Sequence, residues 1–147
     1  MTALAIWDDM ESPLKPVLDS RIYVEAKDAK TASEDDRQGA FVACMRRLAR
    51  SCEVAANTNA AKRSHWAAAK VKREGLLTGR NDLDVKWAGR GVALIEFKDG
   101  KKMPEPEQIE CLNRAVAMGF PVAIIRTPEG GFNWLRSIGA PVPEVQW

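Results

Sequence analysis

Histidine is almost missing from this chain of 147 residues, with His65 standing alone. A zinc site built on several histidines is therefore excluded. Any metal must draw on oxygen ligands, the preference of magnesium and manganese. Cysteine is scarce as well. Cys44, Cys52 and Cys111 are odd in number and lack CxxC spacing. They read as reduced thiols of a cytosolic protein, with Cys44 on an apolar helix face. No run approaches the ~18 apolar residues of a membrane span. Residues 1–9 have no basic region and turn acidic at once, unlike a signal peptide. A cytoplasmic location is expected, with the nucleoid or a phage-infected cell as settings. Repeats and low-complexity tracts are also missing.

With 46% apolar residues the chain can bury a sizeable core as one domain. Its net charge is only +2, but the distribution is uneven. Between Asn59 and Arg80 lie Lys62, Arg63, Lys70, Lys72, Arg73 and Arg80 against a single acid, Glu74. Such a bias either attracts a polyanion or forms a solvated helix face.

Residues 1–32 read as an extension before a domain over 33–147. It holds two short strand candidates, 4–7 and 21–26, separated by Pro13 and Pro16. Ser33 can cap a helix whose first turn carries Asp35 and Asp36. Phe41, Val42, Cys44, Met45 and Leu48 then recur at helical spacing, so a helix is expected over 34–50. A short strand follows at 53–56, then a basic helix over 60–74 that stops at Gly75. Strands are expected at 82–87 and 92–98. Pro104 suits the start of the next helix, which Gly119 ends. The run Val122-Ala123-Ile124-Ile125 is a buried strand, and strand–helix–strand from Val92 to Arg126 implies a crossover between parallel strands. A loop at 127–131, a short helix at 132–138 and a tail complete the chain.

Charge collects at the ends of two of these strands. Asp82 and Asp84 alternate with Leu83, Val85 and Trp87, and an apolar run ends in Glu96-Phe97-Lys98. Carboxylates and a lysine on one face of a hairpin suit a divalent cation and an attacking water, which points to phosphodiester cleavage. Geometry sets a condition. Glu96 and Lys98 share a face because strand side chains alternate. Asp82 joins them only if facing residue numbers sum to an even value, which requires an odd-length loop or a bulge within 88–91. A second ExK, Val24-Glu25-Ala26-Lys27, has no acid-bearing turn before it and no glutamine-bearing helix after it. It reads as a surface strand.

The ordered series Gly75-x3-Gly79-x2-Asp82-Leu83, Ile95-Glu96-Phe97-Lys98, Gln108 and Gly119-Phe120-Pro121-Val122 resembles the VRR-NUC branch of the PD-(D/E)xK nucleases over roughly residues 34–139. Asn81 stands where that family usually has proline, at a position that shapes the turn. The resemblance implies an α/β, restriction-endonuclease-like fold, with a central mixed sheet flanked by helices. It implies dependence on magnesium or manganese and cleavage of DNA. Small stand-alone members resemble structure-specific endonucleases of branched DNA such as Holliday junctions, often homodimeric.

Carried onto this chain, Asp82, Glu96 and the backbone carbonyl of Phe97 hold the cation. Lys98 orients water and stabilises charge on the phosphoryl group. Gln108 binds the water or Lys98. Glu34 matches a helix acid that often completes the metal site, although Asp35 and Asp36 leave its register open and capping explains all three. Asp84 is either a second ligand or a solvated acid. Lys62, Arg63, Lys70, Lys72, Arg73, Arg80, Lys101 and Lys102 are candidate DNA contacts. Trp66 and His65 either pack or stack on bases. Two other functions fit the same residues: a nucleic-acid-binding module without turnover, and a nuclease subunit of a larger restriction or replication complex.

Overall fold

Alternating side chains sort this sheet into two apolar faces, and each face has its own helices. The computed structural model describes residues 15–57, 70, 73–74 and 79–147. Its elements are β1 (Tyr23–Val24), α1 (Glu34–Leu48), β2 (Cys52–Ala56), β3 (Leu83–Trp87), β4 (Gly91–Phe97), α2 (Pro106–Ala117), β5 (Val122–Ile125) and α3 (Pro128–Ser137). The five strands form one mixed sheet in the order β1-β5-β4-β3-β2. β3 is antiparallel to β2 and β4, while β5 is parallel to β4 and β1. The β4–α2–β5 segment is the expected crossover, in an α/β fold.

Odd-numbered strand residues Leu83, Val85, Ala93, Ile95, Phe97, Ala123 and Ile125 face one core. Phe41 and Met45 of α1 and Phe132 and Leu135 of α3 close over it. Val122 and Ile124 face the other core, with Ile22 and with Leu112 and Val116 of α2. Burying each large side chain contributes about 1.5–3 kcal/mol. The two cores therefore fix which face every strand residue takes. Glu96 falls on the α2 face by parity.

Several boundaries differ from expectation for local reasons. α2 begins at Pro106, with Glu105 and Gln108 forming a capping box, so Pro104 lies before the helix. α3 begins at Pro128, inside the expected loop. Thr127 caps it by accepting from the Gly130 N–H at 3.0 Å, and Pro128 occupies the first turn. The glycine there is a packing requirement, since a Cβ on Gly131 would meet the Phe41 ring. The expected strand at 4–7, and Lys62, Arg63, His65, Trp66, Lys72 and Gly75 of the expected basic helix, lie outside the described residues. Lys70 and Arg73 are helical, and Lys70 lies 3.9 Å from Glu74.

Candidate active site

The β3–β4 hairpin brings the first two acids together. Leu83 pairs with Ile95 and Trp87 with Gly91, which leaves a three-residue loop, Ala88–Gly89–Arg90. The loop closes through positive φ at Gly89 (83°) and Arg90 (68°). Its odd length meets the parity condition, so Asp82 and Glu96 share a face. Asp82 Oδ2 accepts the Phe97 N–H at 2.7 Å, which ties the start of β3 to the end of β4. Ser33 caps α1 by accepting the Asp36 N–H at 3.1 Å. The cap fixes the register of the first turn and puts Glu34 at the carboxyl end of β4. One carboxylate oxygen from each of Glu34, Asp82 and Glu96 lies within 4.8 Å of the others.

Lys98 and Gln108 close the cluster. Lys98 Nζ is 3.3 Å from Glu96 Oε1 and 3.7 Å from Glu34 Oε2. Gln108 spans two groups: its Oε1 accepts the Glu105 N–H at 2.8 Å and its Nε2 donates to Glu96 Oε1 at 2.8 Å. Its amide is thus bonded to Glu96 and not to Lys98. The glycine at 79 permits this approach. Gly79 has φ 79°, and a Cβ there would come within 2.6 Å of the Glu107 carbonyl in the first turn of α2.

Within the cluster the carboxyls repel one another and are partly or wholly withdrawn from water. Glu96 has no exposed surface, and burial first, then the Asp82 charge, pushes its carboxyl up to about 8 despite Lys98. Burial likewise raises Glu34 against the pull of Lys98. Among the described residues, buried Glu96 Oε2 has no hydrogen-bond partner. Three clustered carboxyls and an orphaned acceptor are what a hard divalent cation satisfies, so these residues fit one.

Asp84 is not among the three. Its Oδ2 pairs with Arg80 at 2.8 Å and its Oδ1 accepts from Asn57 and Asn81. Buried Asn81 also donates to the Leu83 carbonyl at 2.6 Å, so it ties the turn through its side chain. Phe97 places its ring in the core. Lys101 and Lys102 are exposed beyond Lys98, while Arg80 is exposed but engaged by Asp84.

Sequence reasoning missed a second polar network. Glu25, in the ExK that reads as a surface strand, accepts from the Arg126 N–H, from the Thr127 hydroxyl and, at 2.9 Å, from the Thr127 N–H. Arg126, with no exposed surface, donates to the carbonyls of Glu25, Asp99 and Lys102. Arg37 binds Asp28 and the Arg126 carbonyl. β1 covers only Tyr23–Val24 of the strand expected over 21–26, and Glu25, expected on a surface strand, is instead a clamp just after it. The one local hint is an arginine directly after an apolar strand.

The mixed sheet, its helices and the acids at its strand ends define a restriction-endonuclease-like α/β fold. A solved structure described as "VRR_NUC domain protein" has this fold: it is 20% identical, with a TM-score of 0.60, over 77% of this chain and 93% of that one. At the level of the fold, the resemblance carried by the motif series holds. No family model matches the sequence, and no curated protein does.

Proposed function

We propose that this chain is a divalent-metal-dependent endonuclease that hydrolyses phosphodiester bonds of DNA. The observation that carries the reading is the convergence of Glu34, Asp82 and Glu96 within 4.8 Å, beside Lys98 and Gln108. In this reading Asp82, Glu96, Glu34 and the Phe97 carbonyl hold magnesium or manganese. Such an ion, when bound, neutralises phosphate charge and lowers the pKa of water. Gln108 keeps Glu96 oriented, and Lys98 supplies a fixed positive charge toward the phosphoryl oxygens. Lys70, Arg73, Arg80, Lys101 and Lys102, with Lys62, Arg63 and Lys72, contribute sequence-independent contacts to phosphates.

Residues 33–147 are then the nuclease domain and 1–32 an extension of it. We assign the activity to branched DNA such as Holliday junctions. Two coordinated nicks need two sites, so the working form is a homodimer, which light scattering on a sizing column measures. Cys44, Cys52 and Cys111 are free thiols, in keeping with a cytoplasmic setting. Among the described residues no helix is long and apolar enough to cross a membrane.

The test is a panel of Holliday junction, flap, splayed, single-stranded and linear DNA with magnesium, manganese or EDTA. Cleavage should need the metal and disappear in Asp82→Ala and Lys98→Ala. Cleavage retained by those purified variants, or none by the wild-type chain on any member of the panel, would overturn the assignment.

A further inference from the structure

Beside the carboxylate cluster lies a cavity of about 290 Å3, lined by residues 29–33 and 99–101. Both walls continue directly into the candidate site: Ser33 precedes Glu34, and Asp99 follows Lys98. Buried arginines fix both walls from behind. Arg37 donates to the carbonyls of Ala32 at 2.8 Å and Lys30 at 3.2 Å, and holds Asp28 by two bonds of 2.8 Å. Arg126 donates to the carbonyls at Asp99 and Lys102. The walls also meet each other, because the Asp28 N–H donates to the Gly100 carbonyl at 2.9 Å. A Cβ on Gly100 would collide with Asp28, so only glycine lets the two segments close this tightly. The recess is therefore shaped before any ligand arrives, which lowers the ordering cost of binding.

Its charge is opposite to that of its neighbour. Lys30 and Lys101 are exposed, and among the described residues neither is held in an ion pair, although the nearby Asp28 carboxylate attracts Lys30. Asp99 is the one acid of the lining, and its Oδ1 accepts the N–H groups of Lys101 at 2.8 Å and Lys102 at 2.9 Å. Two lysines on opposite walls of a recess with a mixed polar and apolar lining suit a phosphate. Lys101 lies three residues beyond Lys98. The chain spans at most about 11 Å over that distance, or about three nucleotide steps at a rise of 3.4 Å per strand.

Building on the nuclease reading, we propose that Lys30 and Lys101 grip one backbone phosphate of the bound strand, a few nucleotides from the scissile bond. Lys30 lies outside the segment that carries the motif series. The recess thus gives the segment of residues 29–33, which precedes α1, a part in holding substrate.

The proposal is tested by anisotropy of a labelled duplex DNA oligonucleotide titrated with the full chain in EDTA across a salt series. Neutralising one phosphate fewer lowers the slope of log K against log salt by about 0.9. Lys30→Ala and Lys101→Ala should each lower it by about that much. The double variant should fall by about 0.9 as well, since the one phosphate is held only when both lysines close on it and losing either loses the contact. Lys30→Arg should keep the wild-type slope. Arg47→Ala, at the far end of α1, should also leave it unchanged, and far-UV circular dichroism checks that each variant is folded. A Lys30→Ala slope equal to wild type overturns the proposal, and so does a double variant equal to the sum. If the wild-type chain still cuts DNA in those cases, only the subsite fails. If it neither binds nor cuts DNA, both readings fail.

Discussion

Glu96 is the residue whose surroundings make least sense without a cation. It is buried beside Asp82 and Glu34, and among the described residues one of its oxygens has no partner. Buried polar groups without partners are rare and costly, and they concentrate at functional sites. A ligand that binds only the folded state raises stability, by about 2.7 kcal/mol at a hundredfold excess over its dissociation constant. Magnesium should therefore raise the thermal midpoint of the wild-type chain. Glu96→Gln should abolish that rise. Lys98→Ala should keep it, because Lys98 competes with the cation for the same carboxylates, yet it should lose cleavage. Thermal unfolding with magnesium and with EDTA measures both, and a rise that survives Glu96→Gln contradicts the ligand assignment.

At the scale of the element, the hairpin loop decides whether the site exists. Its three residues put Asp82 and Glu96 on one face, and a loop of two would place Leu83 there instead. Deleting Ala88 should cut DNA cleavage by at least about 100-fold, the cost of misplacing a reacting group by an ångström or more. The strands should survive, since apolar residues line both faces of β4. Far-UV circular dichroism alongside the cleavage rate checks this, and full activity in the deletion variant would show that register is not the controlling geometry. α1 contributes in a different way. Its cap at Ser33 sets the register of Glu34, Asp35 and Asp36, and this brings Glu34 to Lys98.

For the whole molecule, the strap of residues 25–32 is held to the sheet end by Glu25, Asp28, Arg37 and Arg126. The Arg37 guanidinium, hydrogen-bonded to Asp28, holds that carboxyl down at about 2. A carboxyl lowered on folding contributes stability above its unfolded value near 4, and that contribution is lost as pH falls through the folded value. Urea midpoints should therefore drop between about pH 4 and pH 2, with the Asp28 share on the order of 1–2 kcal/mol after solvent screening. Asp28→Asn should lower the midpoint at pH 7 and make the acid drop shallower. An unchanged acid profile in that variant would remove Asp28 from the account.

Much of this molecule was legible in the sequence because much of it is local. Alternation in β3, the unbroken apolar run of β4, the cap at Ser33 and the motif series gave the elements, and the hairpin's closeness in sequence gave Asp82, Glu96 and Lys98 together. Apolar alternation also gave the odd loop once the acids were required to meet. Other features were decided only by the tertiary structure. Glu34 joins the cluster while Asp84 turns to Arg80 and the two asparagines. Gln108 bonds Glu96 in place of Lys98, and Glu25 clamps Arg126 and Thr127. Each of these choices depends on which of several similar polar groups comes within hydrogen-bonding distance after remote segments pack. Periodicity reports the face a residue takes, but not the partner that the fold brings to that face.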